Sequence, residues 1–482
     1  MEMAYDKCSA HNQSQDFVAF SGKRKSQRLE NQRIKRQKIE NADDVPTGTK
    51  ITDINPDCLE HILMYLNLGD LLNVADSNKY LKSVAEEIYV RKYGRKNAPE
   101  YCGKTILEIS AISLCRMRNY EFDGYSLKLG DLKTCLQFVR CFGHLLHDII
   151  LDNVTSSVSN VYGRTLIYIN EYCGDHLWFI RIKGFDLSTA FKKPFLKVTV
   201  ANLIDCGFGK KSLNWLFPNV TSISYKSHGK FLNIDKHMPM LKCLYIGVSQ
   251  CGKLSNSGKK AIEKAFRLNP QLKRLEINLG AGLNLQLLSK VSKYIQSLED
   301  LMLKATLKKD FCFANDTIYF KSVESFYLNL KLEKDLKTIN GSNDIQNLNQ
   351  TEDELLLPNI PFAFDRLKHL KIRGNCRYSD QLFSFISKCP TINFLQFWDY
   401  IFISKTDVAK IAAMLPAVKK ILFYERYSLE EVCHYLTEFK LLNEFGFRLK
   451  NEDDLDVLRT RFGHEWQISP GFCVDMKRSV RR

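Results

Sequence analysis

The chain has 482 residues, carries a formal net charge of +16 and is 45% hydrophobic. This length exceeds what one hydrophobic core usually serves, so two or more structural units are expected. The apolar fraction excludes wholesale disorder, and no run of about 18 apolar residues predicts a membrane span. The first thirty residues are polar and then basic, so they lack the apolar segment of a secretory signal.

The cysteines number 15 and are scattered along the chain, without a CxxC pair or a histidine at zinc-binding spacing. We interpret them as reduced thiols that act mainly as small buried hydrophobic residues. This usage predicts a protein of the nucleus, the cytoplasm or both, with no metal site.

Residues 1–50 are polar and basic and show no apolar periodicity, which predicts a disordered tail. Within it, residues 23–38 contain eight lysines and arginines against one acidic residue. Two basic clusters separated by a ten-residue spacer are typical of a bipartite nuclear-import signal. The residues of this signal are Lys23, Arg24, Lys35, Arg36 and Lys38. The alternatives are a solvated run of charge and a nonspecific nucleic-acid tail.

Residues 51–94 show three short apolar stripes at helical spacing. Asn55 can cap a helix, and Pro56 suits its first position. The stripes are Leu59, Ile62, Leu63 and Leu66, then Leu71, Leu72, Val74 and Ala75, then Leu81, Val84, Ala85 and Ile88. So short a segment buries too little apolar surface to balance its backbone entropy, and it therefore needs a partner surface, the next domain, or both. The alternative is an ordinary helical cap on the next domain.

This segment resembles an F-box, a three-helix module that docks on an adaptor protein. The resemblance lies in Ile54-Asn55-Pro56-Asp57-Cys58-Leu59, Ile62-Leu63, Tyr65-Leu66, Asp70-Leu71-Leu72, Val74-Ala75, Leu81 and Ala85. The chain departs from the family pattern at Asn55, where Leu commonly precedes Pro, and it lacks the frequent late Trp, for which Tyr89 is a substitute. Residues 95–140 are expected to be a helical linker or cap.

From residue 141 onward a pattern of apolar-x-x-apolar-x-apolar recurs twelve times. The motifs are Leu146/Ile149/Leu151, Leu177/Ile180/Ile182, Phe195/Val198/Val200, Val220/Ile223/Tyr225, Leu241/Leu244/Ile246, Leu272/Leu275/Ile277, Leu298/Leu301/Leu303, Val323/Phe326/Leu328, Leu367/Leu370/Ile372, Ile392/Leu395/Phe397, Val418/Ile421/Phe423 and Leu442/Phe445/Phe447. Most later steps fall inside the leucine-rich-repeat period of about 20–29 residues.

Between these motifs the apolar spacing becomes helical, as in Ala261, Ile262, Ala265 and Phe266, and Ser428 to Glu431 forms a capping box. The fold class expected is therefore α/β: a three-helix F-box followed by a curved leucine-rich-repeat solenoid over 141–470, with parallel strands inside and helices outside. Residues 333–360 break the period and predict a flexible insertion, and 471–482 are expected to form a basic tail.

The strand residues between the buried positions should project from the open face of the sheet. They are Arg181, Lys183, Tyr245, Glu276, Met302, Lys304, Tyr327, Lys371, Arg373, Gln396, Trp398, Leu422 and Tyr424. Aromatic and basic side chains of this kind are typical of interface anchors and would suit an acidic or phosphorylated protein segment. The candidate substrate-binding residues are Arg181, Lys183, Tyr245, Lys304, Tyr327, Arg373, Trp398 and Tyr424. The alternative is a solvated strand face.

No nucleotide-binding, metalloprotease or hydrolase motif stands in context, so neither a catalytic residue nor a cofactor is nominated. The resemblance implies a substrate-recognition subunit of a Skp–cullin–F-box ubiquitin ligase, itself without catalytic activity. It implies adaptor binding through Pro56, Leu59, Ile62, Leu63, Leu66, Leu71 and Leu72, with a cullin joined through the adaptor. The alternatives are a repeat scaffold without ligase function and a nuclear protein that binds nucleic acid through its basic tails.

Overall fold

The computed structural model describes a large part of the chain. The described residues are 50–93, 105–110, 120–122, 126–129, 132–152, 159–187, 191–209, 211–227, 234–248, 255–281, 285–307, 317–332, 355–356, 360–374, 376–377, 380–398, 405–471 and 473–479. The chain divides into two compact units, Met1–His61 and Ile62–Arg482. The fold is mixed α/β and contains a mostly parallel sheet.

The helices of the described residues alternate with strands along most of the chain. They are α1 (Pro56–Leu63), α2 (Leu68–Ser77), α3 (Lys79–Tyr93), α4 (Leu132–Phe142), α5 (Ser159–Tyr172), α6 (Leu213–Leu216), α7 (Asn256–Leu268), α8 (Leu285–Tyr294), α9 (Asp380–Ser387), α10 (Lys405–Met414), α11 (Leu429–Glu438) and α12 (Asp454–Phe462).

The strands of the main sheet are β1 (Thr105–Ser110), β2 (Tyr120–Phe122), β3 (Ser126–Leu129), β4 (Leu146–Asp152), β5 (Phe179–Lys183), β6 (Val200–Ile204), β7 (Ser222–Ser227), β8 (Cys243–Val248), β9 (Arg274–Ala281), β10 (Asp300–Leu307), β12 (Ser325–Leu332), β15 (His369–Arg373), β17 (Phe394–Trp398), β18 (Lys420–Tyr427), β19 (Glu444–Leu449), β20 (Trp466–Ser469) and β21 (Val474–Arg478). Two small parallel pairs lie outside it, β11 (Ile318–Phe320) with β14 (Phe362–Phe364) and β13 (Leu355–Leu356) with β16 (Cys376–Arg377).

Among the described residues the main sheet has 17 strands, and it follows the chain order over most of its width. From β4 to β19 each strand pairs in parallel with the next strand of the sheet. Antiparallel pairs stand at the two ends, β2 with β3 and β20 with β21 beside β19. Each parallel step needs a crossover connection, and this explains the long segments between strands.

In the first unit, the segment before α1 is organised by local hydrogen bonds. Ile51–Asp53 form one 3-10 turn, in which the amide of Lys50 donates to Asp53 Oδ2 at 2.9 Å. The side chain of Asn55 then accepts a hydrogen bond from the amide of Asp57 at 3.1 Å. The predicted helix start at Asn55-Pro56 is confirmed, because Asn supplies the acceptor that the first helical amides lack.

In the second unit, α2 and α3 share a hydrophobic core with α4. The ring of Tyr89 is fully buried and lies 4.7 Å from Phe142 and 5.4 Å from Phe138, measured between ring centroids. Arg140 forms an ion pair with Asp76 across the same contact. These helices therefore belong to one compact unit with the sheet.

Two segments differ in secondary structure from what the sequence predicts. Residues 95–140 are predicted to be helical, but β1, β2 and β3 lie there and only α4 is helical among the described residues. Residues 471–482 are predicted to be a basic tail, but Val474–Arg478 form β21, in which Val474 and Met476 are buried. Pairing with neighbouring strands orders these strands, since β1 pairs with β3 and β4, and β21 pairs with β19 and β20.

Eleven of the twelve predicted motifs coincide with strands, and their three apolar residues are buried. The exception is the motif at Phe195/Val198/Val200, which is wrong by three residues. The strand is β6, and its inward residues are Ala201 and Leu203, preceded by Val198. Phe195 matches the motif by coincidence, because it is a buried residue of the connection, packed against Phe191 and Phe217.

The expected outer helix is present after β4, β8, β9, β15, β17, β18 and β19 but, among the described residues, not after β7, β10 or β12. In the described part of the chain between β5 and β8, the helical residues are Leu187 and the four-residue α6. Buried aromatic side chains cover the sheet there in place of longer helices. They are Phe185, Phe191, Phe195, Phe208 and Phe217.

Most of the predicted insertion, residues 333–354 and 357–359, lies outside the described residues, and so does the predicted tail at 1–49. Leu355 and Leu356 form β13, which pairs with β16 immediately after β15. None of the helices that the structure describes is long and apolar enough to cross a lipid bilayer.

Candidate functional site

The parallel sheet has one face of buried apolar side chains and one face of half-buried, more polar side chains. We call the second face the binding face. The eight predicted substrate-binding residues, Arg181, Lys183, Tyr245, Lys304, Tyr327, Arg373, Trp398 and Tyr424, are all half-buried and alternate with buried strand residues. Their positions follow from the two-residue period of a strand.

In the central strands of the binding face, basic side chains are neutralised by carboxylates on neighbouring strands. Lys304 Nζ lies 2.5 Å from Glu276 Oε1, and Arg274 lies 2.9 Å from Asp300. The hydroxyl of Tyr327 accepts a hydrogen bond from Asn329 at 3.4 Å. Lys304 and Tyr327 therefore have partners within the sheet itself.

Arg181 and Tyr245 lie in the first half of the binding face, on β5 and β8. The Nε atom of Arg181 is buried and has no hydrogen-bond partner among the described residues. Burial, reinforced by the nearby Glu276 carboxylate, raises the pKa of Tyr245. The Tyr245 hydroxyl therefore stays protonated and can donate a hydrogen bond. Arg181 lies on β5 and Tyr245 on β8, so the strands β6 and β7 separate these two residues.

Arg373, Trp398 and Tyr424 are the three predicted residues that the fold brings into contact. Arg373 pairs in register with Trp398, and Tyr424 follows Phe423, the last residue of β18 that pairs with β17. The rings of Trp398 and Tyr424 are stacked, with centroids 3.8 Å apart and an interplanar angle of 15°. The Arg373 guanidinium lies 5.8 Å from the Trp398 centroid, within cation–π range. We call these three residues the aromatic stack.

A cavity of about 470 Å³ adjoins the aromatic stack. Tyr424, a member of the stack, also lines the cavity. Its floor and walls come from β18, β19 and the segment before β21, including Leu422, Gly446, Gly471 and Cys473. Two cations, Lys420 and Lys477, and two carboxylates, Glu444 and Asp475, surround it. Because Lys420 pairs with Glu444 at 2.5 Å, part of this charge is already neutralised.

Gly446 keeps the cavity open. A Cβ atom at this position would lie 2.6 Å from Leu422 Cδ2 and 2.9 Å from Asp475 Oδ1, closer than such contacts allow. Sequence reasoning did not nominate Gly446, Cys473 or Asp475. The detectable signal was the small residue between Phe445 and Phe447, because a glycine inside a strand often marks close approach of other groups.

The predicted adaptor-binding residues are distributed between the interior and the surface. Leu59, Leu63, Leu71 and Leu72 are buried in the free chain, whereas Pro56 and Leu66 are half-buried and Ile62 is 53% exposed. The four buried leucines therefore maintain the helices and offer no free surface. Contact through them stays a prediction that would require the chain to open.

An exposed apolar group lies at the end of α1 in the second unit. Ile62, Met64 and Tyr65 are 53%, 37% and 82% exposed. The Nζ atom of Lys92 donates hydrogen bonds to the carbonyls of Met64 at 3.1 Å and Leu66 at 2.7 Å. It thereby holds this segment against α3. We call Ile62, Met64 and Tyr65 the apolar tip; sequence reasoning had nominated Ile62 alone.

The residues of the predicted nuclear-import signal, Lys23, Arg24, Lys35, Arg36 and Lys38, lie outside the described residues. Within the described ranges, no group of three or more His, Cys, Asp or Glu side chains is arranged to hold a metal ion. No protein-family model matches the chain, and no curated protein sequence matches it.

Proposed function

We propose that this chain is the substrate-recognition subunit of a Skp–cullin–F-box ubiquitin ligase. In this proposal residues 51–94 are an F-box that docks on the adaptor, and the repeated strands are a leucine-rich-repeat solenoid that binds the protein substrate. The chain contributes no catalytic residue. It raises the effective concentration of substrate lysines near a separate ubiquitin-conjugating enzyme.

The observation that carries the proposal is the apolar tip. The F-box-like pattern coincides with three consecutive short helices, and Tyr65 within it is 82% exposed beside Ile62. Large apolar side chains clustered on a surface are typical of protein–protein contacts. A merely structural cap on the sheet would turn such side chains inward, as it does Leu63 and Leu71.

The binding face supports a receptor of proteins more than a receptor of nucleic acid. A phosphate backbone is bound by cations that are free to replace its counterions. Lys304, Arg274 and Lys420 are instead paired with carboxylates of the same face. Half-buried aromatic and arginine side chains, such as Trp398 and Arg373, are typical of the anchors in protein interfaces.

The test is binding of the full-length chain to a purified Skp adaptor, measured by biolayer interferometry. Ile62→Asp combined with Tyr65→Asp should weaken binding by about 100-fold or more, because each change places a charge in an apolar contact. Both side chains are exposed, so the fold should tolerate the changes. Leu59 and Leu63 are unsuitable for this test because they are buried.

Leu441→Asp is the matched control, since Leu441 is 52% exposed in the segment between α11 and β19. This variant should bind the adaptor like the wild type. Failure of the wild-type chain to bind, or equal binding by the double variant, would reject the proposal. The chain would then be better described as a repeat scaffold without ligase function.

A further inference from the structure

The last third of the binding face differs in charge from its centre. Strand β15 carries His369, Lys371 and Arg373, and neither β15 nor its neighbour β17 contains an acidic residue. Burial, together with the neighbouring Lys371 cation, lowers the pKa of His369 and so favours its neutral form. The positive charge of the two strands therefore belongs to Lys371 and Arg373.

Lys371 has no carboxylate at ion-pair distance among the described residues; its Nζ atom lies 5.6 Å from the ring centroid of Phe394. This distinguishes it from Lys304 and Lys420, whose charges are neutralised by Glu276 and Glu444. A carboxylate from another protein would find here a cation that no described carboxylate of the chain competes for. The partly desolvated setting strengthens such a pair relative to one in water.

The aromatic stack follows Lys371 along the strands, because Arg373 stands two residues after it on β15, and the stack presents a rigid surface. Stacking on Tyr424 from one side and contact with Arg373 leave the Trp398 ring few alternative orientations. The side chain of Gln396 further donates a hydrogen bond to the Tyr424 hydroxyl at 3.5 Å. A partner that packs on these rings loses little side-chain entropy from this chain, as expected of an interface anchor.

The cavity next to Tyr424 is the third feature of this part of the binding face, after Lys371 and the aromatic stack. Its volume of about 470 Å³ is within the range of ligand pockets, and Leu422 and Gly446 form an apolar floor. The four charged residues around it balance in sign, so it has no preference for an anion or a cation. It is suited to a neutral, bulky apolar side chain.

We infer that Lys371, the aromatic stack and the adjoining cavity bind a protein segment in which acidic side chains stand next to a bulky apolar side chain. The anions lie over Lys371 and Arg373, and the apolar side chain enters the cavity beside Tyr424. This inference rests on the proposed function, because it names the substrate segment that the receptor would recognise.

The test is selection from a positional-scanning library of soluble peptides by the full-length chain without adaptor. One position at a time is fixed as Asp, Glu, phosphoserine, Lys, Arg, Leu or Phe. Asp or Glu, followed within a few positions by Leu or Phe, should be enriched about fivefold over Lys and Arg. Enrichment of phosphoserine above Asp and Glu would also support the inference and identify phosphate as the source of the charge.

Two variants separate the contributions. Lys371→Glu should abolish the preference for acidic residues while the apolar preference persists. Leu422→Glu, at a half-buried position of the cavity floor, should abolish the apolar preference. Lys226→Glu is the matched control, because Lys226 is an exposed lysine on β7 of the same face and changes the net charge equally. It should leave both preferences unchanged.

The inference is overturned if no residue class is enriched, if Lys or Arg is enriched, or if Lys371→Glu selects the same peptides as the wild type. Adaptor binding is measured separately and does not involve these strands. An adaptor complex without peptide selection would overturn this inference alone. Peptide selection without an adaptor complex would instead reject the proposed function.

Discussion

Asn170 shows how one buried polar residue holds a connection between two strands. Its side chain is 2% exposed, and its Nδ2 atom donates to the carbonyl of Lys193 at 2.8 Å. Its Oδ1 atom accepts from the amides of Lys192 and Lys193 at 2.8 and 3.0 Å. The connection between β5 and β6 therefore obtains from α5 the hydrogen bonds that a helix would have formed internally.

Replacement of Asn170 by Ala should lower the free energy of unfolding by about 2–3 kcal/mol, because two amides and one carbonyl lose their partner. Asn219→Ala is the control, since Asn219 makes a single such bond at an exposed site, to the carbonyl of Leu196 at 2.8 Å. This change should lower the free energy of unfolding by less than about 1 kcal/mol. Urea unfolding followed by circular dichroism measures both. Equal losses would show that the Asn170 bonds are not what holds the connection.

The eight binding-face residues could be predicted one by one, since each stands next to buried residues in an alternating strand. Their grouping could not be predicted. Trp398 and Tyr424 stack because the register of β17 and β18 makes them neighbours, whereas Lys183 and Tyr245 lie on strands that are not adjacent. Register depends on pairing between strands, and the pattern within one strand carries no information about it.

At the scale of elements, helices with strong local signals were predictable. The capping box of α11 is present, with the amide of Ser428 donating to Glu431 Oε2 at 2.7 Å and the amide of Glu431 donating to Ser428 Oγ at 3.3 Å. The aromatic cover of the sheet between β5 and β8 was not predictable. Phe191, Phe195 and Phe217 have no diagnostic period, and their mutual packing is what places them on the sheet.

The contact between α3 and α4 determines whether the F-box-like helices fold independently of the sheet. Tyr89→Ala should lower the free energy of unfolding by about 3–5 kcal/mol, because it leaves a cavity against Phe138 and Phe142. Tyr80→Ala, on the same helix at a half-buried position, is the control and should change it by about 1 kcal/mol or less. Denaturant unfolding monitored by fluorescence distinguishes the two. An unchanged midpoint in Tyr89→Ala would indicate an independent helical module.

At the scale of the whole molecule, antiparallel strands close the described sheet at both ends. β21 pairs with β19 through Phe445, opposite Met476, and β20 covers β21 in turn. Such edge strands protect the backbone groups of the parallel strands from pairing with other chains. The segment predicted to be a charged tail is therefore part of the sheet.

Deletion of residues 466–482 should expose the edge of β19 and produce oligomers or aggregates, because it also removes the buried side chains of Trp466 and Met476. Size-exclusion chromatography with light scattering measures the outcome. Deletion of 480–482 alone is the control and should leave the mass unchanged. If the longer deletion remained monomeric with an unaltered melting temperature, the antiparallel pair would be dispensable for closure.

The sequence by itself determined the α/β class, eleven strand positions, the buried residues of each strand and the face that carries the candidate binding residues. These properties follow from local periodicity, which reports how a segment alternates between interior and solvent. The tertiary structure alone decided that Thr105–Ser110, Tyr120–Phe122, Ser126–Leu129 and Val474–Arg478 are strands. It alone also decided the aromatic packing between β5 and β8 and the joining of Arg373, Trp398 and Tyr424 beside a cavity. Those features depend on contacts between segments that are distant in the sequence. The pattern within one segment carries no information about the free energy of such contacts.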